Sequence, residues 1–211
     1  MGAPVLYMIA GCNGAGKSTL ARILLPDFLS IQALVNPDDI AHGLNPLDPV
    51  SMDMKAGKLA LRQMEEYIDG RKSFAFETTA SGRAHLAMLR RAKAQGYQIR
   101  LIYLFLTSPK IAVVRVALRV RQGGHDVPEK DIIRRYYRGA QHILEGYLPI
   151  VDSASFYISP AQKNIQEAQE RGEEIGRYLF AEKRSGGDLT IFQTNIWDLF
   201  VQQAQKERKK E

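Results

Sequence analysis

The octapeptide Gly11-Cys12-Asn13-Gly14-Ala15-Gly16-Lys17-Ser18 constrains this chain more than any other segment. Its spacing is G-x-x-x-x-G-K-S. It lies between an apolar run, residues 5–10, and a stretch, residues 19–25, that reads as a helix ending before Pro26. Strand, glycine-rich turn and helix are the context in which this spacing becomes a phosphate-binding loop. Backbone N–H groups of the turn and of the first helical residues then converge on a polyphosphate. Lys17 adds positive charge near the β- and γ-phosphates, and the Ser18 hydroxyl is placed for a divalent cation. Gly11, Cys12, Asn13, Gly14, Ala15, Gly16, Lys17, Ser18 and Thr19 are therefore the expected binding residues for a nucleoside triphosphate. A glycine-rich turn that binds nothing is the bland alternative, and the completeness of the motif weighs against it.

Elsewhere the chain keeps the alternation that a parallel sheet needs. Residues 31–35 and 74–76 read as short strands, 99–106 as the most apolar strand and 155–158 as the last one. A helix is expected over 51–69, where Met52, Ala56, Leu59, Ala60, Met64, Tyr67 and Ile68 recur at three- and four-residue spacing. Another is expected over 84–95, and Gly70 and Gly96 are their stops. Ser108 and Pro109 read as an N-cap and first-turn pair opening a helix to about residue 121. A further helix over 128–148 would bury Ile133, Tyr136, Tyr137, Ala140, Ile143, Leu144 and Tyr147, and a last body helix would cover 160–180. Residues 41–49, rich in Gly, Pro and Asn, read as a loop. The pattern predicts an α/β, three-layer P-loop NTPase or kinase fold: a parallel sheet with helices on both faces, a helical lid and a C-terminal extension. Residues 1–183 form the expected domain, with the lid at about 108–140. Residues 184–211 form a Ser185-Gly186-Gly187-Asp188 linker and an amphipathic tail bearing Phe192, Ile196, Trp197 and Phe200.

A length of 211 residues suits one such domain, and a net charge of +6 fits a phosphate-rich ligand. The lone cysteine, Cys12, excludes an internal disulfide framework. No run of eighteen apolar residues and no charged-then-apolar leader is seen, so the expected address is the cytoplasm, with no membrane partner. The guanine-reading Asn-Lys-x-Asp pattern is absent, and the Ser-Gly-Gly-Asp at 185–188 comes too late for a transporter signature.

In open parallel sheets, ligands sit beyond the carboxyl ends of the strands. The phosphate loop, Asp38 and Glu77 all fall there. Phosphoryl transfer needs a base for the acceptor hydroxyl, charge on the γ-phosphoryl oxygens and exclusion of water. Asp38 is the candidate base. On spacing alone, a cap for a helix starting near Ile40 is an equal reading of Asp38, with Asp39 the better cap. Arg115 and Arg119 share one helix face, and Arg134, Arg135 and Arg138 group on the next helix. The glycine-broken segment between them, which holds His125, makes the pair of helices a candidate lid. Arginine suits that role because its planar fork pairs with phosphate oxygens at two points. Glu77, Thr78 and Thr79, then Ser81 and Arg83, form a polar cluster suited to sugar hydroxyls. Glu77 is also placed to orient water on a metal ion, so Ser18 and Glu77 are the candidate metal residues. Capping the helix at 84 is the alternative for Thr79 and Ser81.

Four segments occur here in order: Gly11 to Thr19, Asn36-Pro37-Asp38, Phe76-Glu77-Thr78-Thr79, and Arg119-Val120-Arg121-Gln122-Gly123-Gly124-His125 with Val127-Pro128. Together they resemble the zeta-toxin-like P-loop kinases over about residues 3–180. The resemblance implies ATP and Mg²⁺ as cofactors. It implies a hydroxyl of a sugar or sugar nucleotide, such as UDP-N-acetylglucosamine, as acceptor, and an antitoxin protein as a candidate partner. Asp38 becomes the base, and Lys17 with the lid arginines Arg119 and Arg134 the γ-phosphoryl stabilisers. Arg115 joins Arg119 on the nucleotide, while Asp38, Glu77, Thr78, Thr79, Arg83 and His125 face the acceptor. The toxins carry a lid arginine just before the proline matching Pro128, where this chain has His125, so the charge falls to Arg115, Arg119, Arg134 or Arg135. Two other functions fit the sequence. One is a nucleotide-binding regulatory or toxin–antitoxin module with little turnover. The other is a kinase of nucleic-acid 5′-hydroxyls, which the basic charge permits and the lack of an aromatic-rich groove disfavours.

Overall fold

A computed structural model describes residues 2–27, 31–124, 126–159 and 178–208. Its centre is β1 (Val5–Gly11), whose residues are buried from Leu6 onward on both faces of the sheet, as in a covered central strand. β1 pairs in parallel with β3 (Phe74–Thr78) on one side and β4 (Gln98–Phe105) on the other. β2 (Leu34–Val35) lies outside β3, and β5 (Ser153–Ile158) outside β4, both parallel. Helices pack around this mostly parallel sheet: α1 (Lys17–Asp27), α2 (Pro37–Leu44), α3 (Asp53–Asp69), α4 (Ala84–Ala94), α5 (Pro109–Arg121) and α6 (Glu129–His142).

Several boundaries follow local chemistry. Ser108 caps α5 by accepting from the Lys110 N–H at 3.2 Å, with Pro109 in the first turn. α2 differs from expectation: it begins at Pro37 rather than near Ile40 and runs into the stretch read as a loop. The cap is Asn36, whose side chain accepts from the Asp38 N–H at 3.0 Å, while Pro37 supplies a pre-set φ. α6 buries Ile132, Tyr136 and Ala140, with Ile133 only half-buried, and continues as a π-helical turn, Ile143–Tyr147. Tyr136 anchors it by donating to the Leu106 carbonyl at 2.7 Å. α6 is thus seated against the core.

The end of the chain departs most from expectation. β5 is not the last strand: β6 (Leu179–Lys183) and β7 (Leu189–Ile191) extend the sheet antiparallel, giving the order β2-β3-β1-β4-β5-β6-β7. The Ser185 to Asp188 segment is the turn of that hairpin, with Gly186 at φ 71°. Leu179 and Phe180, expected to end a helix, are strand residues, and the remainder of that expected helix, 160–177, lies outside the described residues. The amphipathic tail is α7 (Thr194–Arg208), which packs on α6 and the sheet. Phe200, fully buried, meets the rings of Tyr103, Phe105, Phe156, Phe180 and Trp197 at 5.3–6.2 Å between centroids.

Candidate functional site

The turn after β1 has the geometry its glycines allow. Gly11 (φ 152°) and Gly14 (φ 77°) hold backbone conformations that L side chains rarely adopt. A Cβ at Gly11 would lie 2.6 Å from the Leu104 carbonyl, and one at Gly14 3.0 Å from that of Ala112, so the loop packs directly on β4 and α5. Behind the loop, the Arg115 guanidinium donates to Ser159 Oγ at 2.7 Å and to the Gly14 carbonyl at 3.5 Å. Ser159 Oγ in turn donates to the Ala15 carbonyl at 2.8 Å. With that carbonyl held backward, the Gly16 N–H of the same trans peptide is turned the opposite way.

Lys17 is half-buried, and its Nζ donates to the Cys12 carbonyl at 3.2 Å. Burial pulls its ammonium pKa down, an effect the nearby Glu77 carboxylate opposes. Burial likewise pushes Glu77 up, opposed by Lys17 and by the Ser18 hydrogen bond. Ser18 Oγ donates to Glu77 Oε2 at 2.8 Å, while Glu77 Oε1 is buried with no hydrogen-bond partner among the described residues. Asn36 Nδ2 reaches Ser18 Oγ at 3.5 Å. A hydroxyl beside an orphaned carboxylate oxygen is a hard, all-oxygen donor pair that fits Mg²⁺. Among the described residues no group of three or more His, Cys, Asp or Glu could hold a metal, so phosphate oxygens and water would complete the shell. Burial pushes the Cys12 thiol up to about 11, which suits an inert loop residue more than a redox switch.

A cavity of about 870 Å³ opens over this loop. It is lined by Asn13, Gly14, Gly16, Lys17, Ser18 and Thr19 from the loop and α1, and by Asp38, Glu77, Thr78 and Thr79 from the β2 and β3 ends. Arg115 and Arg119 enter from α5, Arg134 and Arg135 from α6. Arg135 reaches Asn13 Oδ1 at 3.5 Å, and Arg134 pairs with Asp131 at 2.9 Å. Asp38 is exposed and, with Asn36 as the cap, its carboxylate is not used to start α2. Gly11, Cys12 and Ala15 are buried in the loop and do not line the cavity. Arg83 is exposed and outside the lining, and Arg138 is absent from it as well. His125 lies outside the described residues.

Among the polar lining residues, sequence reasoning assigned no role to Asn36, His85 and Gln122. Asn36 was legible, since Asn-Pro followed by acidic residues is a helix-start pattern. His85 was not, because its place depends on how the β3–α4 loop folds back. That loop is held from α6: a Cβ at Gly139 would stand 2.5 Å from the Thr79 carbonyl, His142 Nδ1 donates to the Ala80 carbonyl at 3.0 Å, and the Tyr147 hydroxyl donates to that of Gly82 at 2.8 Å.

A glycine loop between β1 and α1, a strand order of 2-3-1-4-5 and a Ser–Glu pair beneath the loop define a P-loop domain with a kinase-like fold. The chain belongs to the AAA domain family, which matches residues 6–137. An uncharacterized protein of Haemophilus influenzae is 34% identical over 127 residues, which is 60% of this chain and 88% of that protein. A structure from the PezAT chromosomal toxin–antitoxin system of Streptococcus pneumoniae is similar over 96% of this chain and 86% of its own, with TM-score 0.57 and 14% identity. The AvrRxo1-ORF1:-ORF2 complex with ATP contains a similar chain, with TM-score 0.69 and 16% identity. That match covers 94% of this chain and 63% of the other, so the chain spans less than two thirds of that relative. At these identities the two structures speak for the fold, which agrees with the zeta-toxin-like P-loop kinase resemblance in the sequence. Among the described residues no helix is long and apolar enough to cross a membrane.

Proposed function

We propose that this protein is an ATP- and Mg²⁺-dependent kinase that phosphorylates a hydroxyl of a sugar or sugar nucleotide. The observation that carries the reading is Asp38: an exposed carboxylate, left out of the helix cap by Asn36, lining the same cavity as Lys17 and Ser18. In the proposed reaction the acceptor oxygen forms a bond to the γ-phosphorus as the bond to the β,γ-bridging oxygen breaks. ADP leaves with that electron pair, and the hydroxyl proton passes to Asp38. Lys17, Arg119 and Arg134 supply positive charge to the γ-phosphoryl oxygens. Arg115 steadies the loop through Gly14 and Ser159, and Thr78 and Thr79 orient the acceptor. Ser18 and Glu77 would hold Mg²⁺, whose chemistry there is to neutralise charge on the β- and γ-phosphates. An antitoxin-like protein is the proposed macromolecular partner and the cytoplasm the proposed location.

The test is transfer from γ-labelled ATP by wild type and Asp38→Asn side by side, with sugars, sugar nucleotides and 5′-hydroxyl RNA as acceptors. A labelled sugar product that is lost in the variant, with nucleotide binding retained, supports the reading. Label in RNA alone points to a 5′-hydroxyl kinase. Tight nucleotide binding without product from any acceptor points to a regulatory module.

A further inference from the structure

The cavity is divided chemically along the sheet. Strand order sets β2 and β3 on one side of the phosphate loop, β4 and β5 on the other. Among the described residues, every lysine or arginine in the lining comes from the loop, α5 or α6: Lys17, Arg115, Arg119, Arg134 and Arg135. The β2–β3 side contributes Asn36, Asp38, Thr78, Thr79, Ser81 and His85, with Glu77 at the junction. Arg83 belongs to the same loop, yet it is exposed and out of the lining. Among the described residues, an anion placed against this wall would meet the Asp38 carboxylate and no lysine or arginine, while Glu77 faces Lys17 and the proposed metal.

What the wall does offer is paired donors and acceptors. Thr78 Oγ1 accepts from the Ala80 N–H at 3.0 Å, which leaves its O–H to donate. Thr79 Oγ1 and Ser81 Oγ share one hydrogen bond of 2.9 Å, so the pair keeps one hydroxyl hydrogen and spare lone pairs. The His85 ring lies 5.0 Å from that of Phe76 and makes no hydrogen bond to the described residues. Burial pushes His85 down to about 4, so at neutral pH it presents one N–H donor and one nitrogen acceptor. Gly139, His142 and Tyr147 fix the loop from behind, so these groups are in place before a ligand arrives. Each hydroxyl of a sugar both donates and accepts, and this wall is its complement.

We infer that the acceptor subsite takes an uncharged polyhydroxyl compound, a free sugar or polyol, in preference to a sugar phosphate or nucleotide. This rests on the kinase reading above: phosphoryl passes from ATP to one of the compound's hydroxyls, the proton goes to Asp38, and ADP leaves. Specificity comes from a wall that carries Asp38 and, among the described residues, no lysine or arginine, since a half-buried anion without a counter-charge is disfavoured.

The test is kcat/KM with γ-labelled ATP and Mg²⁺ for matched pairs: glucose and glucose 6-phosphate, ribose and ribose 5-phosphate, N-acetylglucosamine and UDP-N-acetylglucosamine. Whichever pair reacts, the neutral member is expected to exceed its phosphorylated partner at least tenfold. His85→Leu should raise the KM of the neutral acceptor about tenfold or more with the KM for ATP unchanged. Equal or better use of the phosphorylated members overturns the inference and leaves the kinase reading standing. No product from any pair, with ATP bound, overturns the kinase reading and this inference with it.

Discussion

Two helical glycines should respond to alanine with opposite signs. At Gly139 in α6 the added methyl would lie 2.5 Å from the Thr79 carbonyl oxygen, against about 3.4 Å for ordinary contact. Both partners are backbone, so nothing flexible can turn aside, and helix or loop must move by about 0.9 Å. Overpacking of this kind costs about 1–3 kcal/mol. At Gly57 in α3 the same methyl meets nothing within 4 Å. There the helix gain of alanine over glycine, about 0.8–1 kcal/mol, stands alone. The propensity gain cancels between the two variants, so Gly57→Ala should be more stable than Gly139→Ala by about 1–3 kcal/mol. For a chain of this size that is about 2–12 °C in Tm. Thermal and urea unfolding followed by circular dichroism would measure it. Melting temperatures equal to within about 1 °C would refute the close approach of α6 to the β3–α4 loop.

His85 carries a pH dependence whose sign is set by burial. Its folded pKa, about 4, lies below the unfolded value near 6.5, so the unfolded chain binds the extra proton in between. Its contribution is present above about pH 6.5 and lost towards pH 4, up to about 3 kcal/mol. Urea titrations of wild type and His85→Gln from pH 7 to 4.5 should therefore converge, and parallel curves would contradict this. Phe200→Ala should cost about 3–5 kcal/mol, because five rings close around a fully buried side chain. A loss below about 1 kcal/mol in equilibrium unfolding would mean that α7 is a detachable tail. Ser159→Ala removes the donor that holds the Ala15 carbonyl. A net hydrogen bond of about 1 kcal/mol predicts nucleotide binding about fivefold weaker. Titration with a fluorescent ATP analogue showing unchanged affinity would remove Ser159 from the loop's support.

What was legible in the sequence was local. The phosphate loop, the capped start of α5 and the apolar strands β1, β3 and β4 each announce themselves within a few residues, and the structure places them as read. α2 starts three residues before Ile40 because the capping oxygen belongs to Asn36, not to Asp38 or Asp39, either of which fits a cap on spacing alone. β6 and β7 were missed because an antiparallel edge pair is decided by non-local contacts, here Phe180 and Ala181 against β5 and the aromatic side of α7. The β2–β3 wall of the cavity was half legible. Thr78 and Thr79 follow directly from β3, but His85 and the exclusion of Arg83 depend on a loop braced by a π-helical turn, Ile143–Tyr147, that no periodicity of 3.6 reveals.

The seating of α6 bears on how the chain is made. Strands β3, β4 and β5 can each pair as they emerge from the ribosome, since β3 finds β1 and β2, β4 finds β1, and β5 finds β4 among residues already synthesised. α6 cannot be finished that way. It brings Arg134 and Arg135 to the cleft, yet one of its flanks packs on α7, with Lys206 Nζ 5.9 Å from the Tyr137 ring. Until residues 194–208 have emerged, Arg134 and Arg135 stand on a helix that lacks its packing against α7. Completion of the last helix is then the step that makes the cleft whole, and a prematurely terminated product would be left with an unfinished one.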